Sequence, residues 1–125
     1  MDEVLQDRTT LRADASSARA ARRFLRDVLE DWRCDEVVEV VLLAANELVT
    51  NAILHARTDF ELIVRLARGV VRIEVIDFDE RLPVHRDARD DALGGRGMGV
   101  LNAVADRWGV DPVLGGKKVW FEVPA

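Results

Sequence analysis

The chain has 125 residues, 49% hydrophobic and 33% charged, with 18 Lys and Arg against 23 Asp and Glu and a net charge of −5. This composition excludes a disordered chain and describes one domain, residues 1–125, long enough to bury a core without covalent staples. The acidic balance argues against a partner held through nucleic-acid phosphates, so no direct nucleic-acid contact is expected.

Cys34 is the one cysteine. An intramolecular disulfide and a zinc cluster are therefore out, and a reducing cytoplasm is the expected home. No apolar run is expected to approach the roughly 20 residues that span a bilayer. The start, Met1-Asp-Glu-Val-Leu-Gln-Asp7, lacks the basic and apolar stretches of a secretion signal. Neither feature points to a membrane.

Leu5, Thr9 and Leu11 alternate weakly and predict a first strand within residues 3–13. Asp14-Ala-Ser16-Ser17 supplies oxygen-bearing side chains for unpaired first-turn amides and starts a helix. Its apolar stripe runs through Ala21, Phe24, Leu25, Val28 and Leu29 to Trp32. Arg19, Arg22, Arg23 and Arg26 read as the solvated face of that helix, with a site for an acidic protein partner as the sharper alternative. A second helix is predicted over 35–56, with Val37, Val41, Ala44, Ala45, Leu48 and Ala52 on one side. Glu47, Asn51 and His55 follow one another at four-residue steps along a neighbouring side.

Phe60, Leu62, Val64 and Leu66 alternate with polar residues as a half-buried strand should. After a turn at Arg68-Gly69, Val71, Ile73 and Val75 alternate again, and Asp77 keeps their phase onto the buried face. Residues 78–95 have no periodicity, and so long an unstructured stretch inside a compact domain is usually functional or mobile. Met98, Leu101, Val104 and Ala105 then mark a short helix. Trp108-Gly-Val110 and Val119–Val123 read as two strands joined through Gly115-Gly116. The whole is an α+β, two-layer arrangement: a mixed or antiparallel sheet with helices packed on one face.

Four segments carry chemistry. Glu47-Leu-Val-Thr-Asn51-Ala sets a carboxylate one turn before an amide, oxygen ligands that suit magnesium, with a Glu able to take a proton. The same spacing also describes a surface pair on an amphipathic helix. Val75-Ile-Asp77-Phe-Asp79 puts a carboxylate on the core side, which is costly unless something hydrogen-bonds to it. Gly94-Gly95-Arg96-Gly97-Met98-Gly99 precedes a helix whose free amides can hold phosphate oxygens, with Arg96 adding charge. Gly115-Gly-Lys-Lys-Val-Trp120 places Lys118 where it can either pair with Asp77 or face solvent.

In order and separation these segments resemble the ATPase family shared by gyrase, heat-shock chaperones, histidine kinases and mismatch-repair proteins. Asn51-Ala-Ile-Leu-His55-Ala and Val119-Trp-Phe-Glu are similar to the bacterial anti-sigma-factor serine kinases within it. The resemblance spans residues 14–125 and implies a Bergerat-type ATP-binding fold, a mostly antiparallel sheet with about three helices on one face. It implies ATP and Mg2+ as cofactors, Glu47 as general base, Asn51 as magnesium ligand and Asp77 as reader of adenine. Asp79 stands where relatives commonly have Gly beside the purine. Gly94, Gly95, Arg96, Gly97, Met98 and Gly99 correspond to the glycine box over the phosphates. Residues 80–96 would then form a lid, with Arg86 and Arg89 as further phosphate contacts. Lys118 stands where relatives usually carry Thr. His55 would brace the pocket or the helix end.

The leading expectation is an anti-sigma factor that binds a sigma factor and phosphorylates a serine on an anti-anti-sigma antagonist; the resemblance also admits a homodimer, which the apolar strands could support. The alternative is a protein-interaction module without kinase activity. The catalytic domain of a two-component histidine kinase fits less well, because only about 15 residues precede the first helix to supply a phosphoacceptor pair.

Overall fold

Alternating segments build a sheet, and the helical stripes cover one side of it. The computed structural model describes residues 3–79 and 97–125. In chain order the elements are β1 (Leu5–Leu11), α1 (Ser16–Asp31), α2 (Val38–Asn51), β2 (Phe60–Ala67), β3 (Val70–Asp77), α3 (Gly97–Val104), β4 (Arg107–Val113) and β5 (Gly116–Pro124). A 3-10 turn, Asp35–Val37, leads into α2, and a π-helical turn, Ala52–Ala56, ends it. The five strands lie in the order β1-β2-β3-β5-β4. Every pairing is antiparallel, which resolves the mixed-or-antiparallel expectation.

Asp14 starts α1 as expected: its Oδ1 accepts from the Ser16 amide at 2.8 Å and the Ser16 hydroxyl at 2.9 Å. Those two bonds, the amide first, hold its carboxyl below the ordinary range. At the other end Arg33 takes a left-handed φ of 62°, and the Cys34 amide reaches back to the Leu29 carbonyl at 2.8 Å. This is a helix stop built without glycine. β2 and β3 join through Arg68 and Gly69, both at positive φ, the turn whose twist matches a hairpin.

The core lies between the helices and the sheet's inner face. Phe60, Leu62, Ile73 and Phe121 from the strands meet Leu25 and Leu29 of α1 and Val41, Ala44 and Leu48 of α2. Leu101 of α3 is also fully buried. The stretch Asp35–Ala56, 22 residues, is long and apolar enough by length and composition to cross a membrane, contrary to the expectation that nothing approaches that length. It is apolar because α2 is the central helix, packed against α1, α3, β3 and β5.

The outer face is held by charge. Glu74, 1% exposed, accepts from Arg72 Nε at 2.7 Å and Arg65 Nη1 at 3.2 Å, with Lys118 Nζ at 3.8 Å. Arg72 also donates to Glu122 at 2.9 Å and lies 4.0 Å above the Trp120 ring. Burial alone would lower the Arg72 pKa; the bonds to Glu74 and Glu122 outweigh it and raise the value. Gly109 of β4 packs under Trp120, where a Cβ would come within 2.8 Å of the indole.

A candidate nucleotide site

α2 is the element that gathers the site. It carries Glu47 and Asn51, and it packs against the strand bearing Asp77, the strand bearing Lys117 and Lys118, and the helix that begins at Gly97. Glu47 and Asn51 are both half-buried, one helical turn apart. The Asn51 Nδ2 is buried and has no hydrogen-bond partner among the described residues. Such an orphan is rare enough to need an explanation, and an awaited ligand is one.

His55 departs from the expected row. The π-helical turn closes through the Arg57 amide to the Ala52 carbonyl at 3.3 Å, and His55 is exposed. The row therefore passes from an α-helical to a π-helical turn between Asn51 and His55.

Asp77 lies on the buried face, as its phase predicts, at 3% exposure. Its Oδ1 accepts from the Asp79 amide at 3.1 Å, so Asp79 shapes the chain after β3 through its backbone. Thr58 accepts from the Phe78 amide at 3.2 Å and fixes the same exit. The partner of Asp77 Oδ2 is Lys117, not Lys118: Lys117 Nζ stands 2.7 Å away and the residue is 8% exposed. Lys118 belongs to the opposite face, beside Glu74. The signal for this was in the sequence. Val119, Phe121 and Val123 face inward, so period-two counting puts Lys117 in their phase and Lys118 out of it.

Gly116 lets this pair form. A Cβ there would collide with the Asp77 carbonyl oxygen and come within 2.8 Å of its carbonyl carbon. Only glycine lets β5 lie this close to the end of β3.

Gly97, Met98 and Gly99 form the first turn of α3, whose leading amides have no partner within the helix. A Cβ at Gly99 would meet no described atom within 4 Å, so packing within the described residues does not require a glycine there. Gly94, Gly95 and Arg96, the Arg86 and Arg89 contacts and the lid over 80–96 lie outside the described residues.

The residues fit one end of a magnesium nucleotide and not the other. No cluster of three or more His, Cys, Asp or Glu that could hold a metal occurs among the described residues. Magnesium needs no such cage: one or two oxygen ligands from the protein beside phosphates and waters suffice, and the Asn51 side-chain oxygen is of that kind, while its unpartnered Nδ2 can donate to a phosphate or water oxygen. At the base end both Asp77 oxygens are engaged, one by a buried ammonium. An adenine amine does not fit there as the side chains stand.

The fold has a solved likeness. The crystal structure of the RsbU and RsbW domains of Rv1364c from Mycobacterium tuberculosis matches with a TM-score of 0.70 at 22% identity, over 97% of this chain and 34% of that one. This chain spans about a third of the length of the solved chain it matches, and the likeness establishes the Bergerat-type architecture. No curated protein matches in sequence. The profile of the histidine kinase-like ATPase domain matches residues 11–123, nearly end to end, and the chain belongs to that family.

Proposed function

We propose that this chain is an ATP-binding protein-serine kinase of the anti-sigma type, working in the cytoplasm. In this reading it binds a sigma factor and phosphorylates a serine on an anti-anti-sigma antagonist. One observation carries the reading. Glu47 and Asn51 share a turn of α2, the Asn51 amide is buried without a partner, and that helix packs on both Asp77's strand and α3.

Glu47 takes the proton from the attacking seryl hydroxyl, and Asn51 holds the magnesium ion. The metal, when bound, neutralises charge on the phosphoryl group in transit. Gly97, Met98 and Gly99 offer first-turn amides to phosphate oxygens, with Gly94, Gly95 and Arg96 leading into them. Asp77 receives the base once the Lys117 ammonium leaves it. Such transfer rests on positioning and charge stabilisation, so few residues are needed. The exposed Arg19, Arg22 and Arg23 of α1 suit an acidic protein surface. Fold likeness to a chain carrying an RsbW domain supports the protein-partner half of the reading.

A second reading, a protein-interaction module without kinase activity, is favoured by the Asp77–Lys117 pair in the base position. Labelled ATP, magnesium and a seryl antagonist separate the two. Glu47→Ala is expected to slow transfer by about 100-fold or more while nucleotide binding survives, since a base acts in the transition state. Transfer that proceeds unchanged in this variant sinks the kinase mechanism, and no transfer by the wild type leaves the module.

A further inference from the structure

We infer that Lys117 is a built-in competitor for the nucleotide base, and that it sets how tightly and how selectively the site holds adenine. The inference rests on the nucleotide reading above and adds a residue that reading does not contain. Lys117 Nζ stands 2.7 Å from Asp77 Oδ2. An ammonium only donates hydrogen bonds, and so does an exocyclic amine; with the ammonium seated 2.7 Å from Oδ2, the two compete for the space beside that oxygen.

Neither oxygen of Asp77 is idle, because Oδ1 is bound by the Asp79 amide at 3.1 Å. Nor can the conflict be relieved by sliding β5. Gly116 leaves no room even for a Cβ against the Asp77 backbone, and the strands are in register from Val70↔Pro124 to Asp77↔Lys117. The Lys117 side chain alone can move, and moving it breaks an ion pair whose residues are 3% and 8% exposed.

Adenine binding is therefore an exchange, in which the base replaces the ammonium on Asp77 and the ammonium goes to water. Two consequences follow for affinity and choice. ATP binds more weakly than the carboxylate alone would allow. A purine with a keto oxygen in place of the amine loses little by comparison, because Lys117 can stay and donate to that oxygen.

The test is a calorimetric titration of the full chain with magnesium ATP and magnesium ITP, on the wild type, Lys117→Thr and Lys117→Gln. Lys117→Thr empties the position. Lys117→Gln keeps a neutral donor for Asp77 and is read alongside in case the threonine variant folds poorly. Both variants are expected to bind ATP more tightly, Lys117→Thr by about tenfold or more, the lower end of a charged hydrogen bond. The ATP-to-ITP preference is expected to widen by a similar factor. If the wild type binds ATP and neither its affinity nor its preference changes in the variants, Lys117 is no competitor and the kinase reading stands. Weaker ATP binding in both variants makes Lys117 a ligand of the nucleotide and overturns the inference as well. Failure of all three proteins to bind either nucleotide overturns the inference together with the nucleotide reading beneath it.

Discussion

β3 buries two carboxylates on opposite faces of the sheet, Glu74 outside at 1% exposure and Asp77 inside at 3%. Equal burial imposes a similar desolvation cost, yet the fold meets it differently. Glu74 has three cations within 4.0 Å, from Arg65, Arg72 and Lys118. Asp77 has one among the described residues, Lys117, and a single backbone amide. Losing one cation leaves Glu74 two others and leaves Asp77 none among the described residues. A charge with several partners is a fixed part of the sheet. A charge with one can change partners, which is useful where a ligand arrives, and only Asp77 lies on the face covered by α2.

The contrast breaks hardest at Lys117. Lys117→Met leaves Asp77 buried and without a cation among the described residues, and is expected to cost about 3 kcal/mol in unfolding free energy, the scale for breaking a buried pair from one side. Urea unfolding near neutral pH reads it directly. A loss under about 1 kcal/mol would mean that Asp77 rehydrates easily, and the distinction between the two carboxylates would fall.

Gly116→Ala attacks the same pair through the backbone. Its Cβ must push β5 away from the Asp77 carbonyl, and overpacking of that kind costs about 1–3 kcal/mol. Trp120 lies four residues further along β5 on the outer face, so a disturbance confined to the strand start should leave its environment in place. Fluorescence of Trp120, isolated by replacing the other tryptophans, checks that locality against the global loss seen in urea.

Much of this layout could be read from the chain because strands β2, β3 and β5 have one buried face each, and period-two alternation follows directly from that. Asp77 was legible for the same reason, as a carboxylate in a row of Val and Ile. Lys117 was legible but passed over: glycines and lysines at the start of β5 hide the phase, which must be counted backwards from Val119. Glu74 was not legible at all. It holds a polar phase and looks solvated; long Arg side chains lying across it do the burying, and alternation says nothing of them. The π-helical turn was equally hidden, since Ala52-Ile-Leu-His55-Ala56 is a sequence an ordinary α-helix would accept. For Gly99, packing among the described residues gives no reason for a glycine, so its reading rests on the helix-start amides and on resemblance.

Arg72→Ala tests redundancy from the other side. Glu74 keeps Arg65 and Lys118, so the loss is expected to be about 1 kcal/mol, including the contact with Trp120. Arg65→Ala should cost less, because its side chain is already 40% exposed. Combined with Lys117→Met, the Arg72 loss should simply add, as the two sites share no partner. A cost for Arg72→Ala matching that of Lys117→Met would show that partner number is not what separates the two faces.

Asp14 supplies the exposed limit of the same comparison, a carboxylate whose desolvation is outweighed by its hydrogen bonds. Its bonds come from the Ser16 amide and hydroxyl, and they lower its pKa from the ordinary 3.8. A depressed pKa means the folded state holds the ionised form more firmly than the unfolded chain does. The resulting stabilisation is complete above the ordinary value and disappears as pH falls through the lower, folded value. Asp14→Ala should therefore destabilise α1 modestly at neutral pH, and wild type and variant should converge as the solution is acidified below 3.8. Thermal unfolding of both proteins across that window measures it. A gap that persists unchanged in acid would mean that Asp14 starts the helix by its shape and not by its charge.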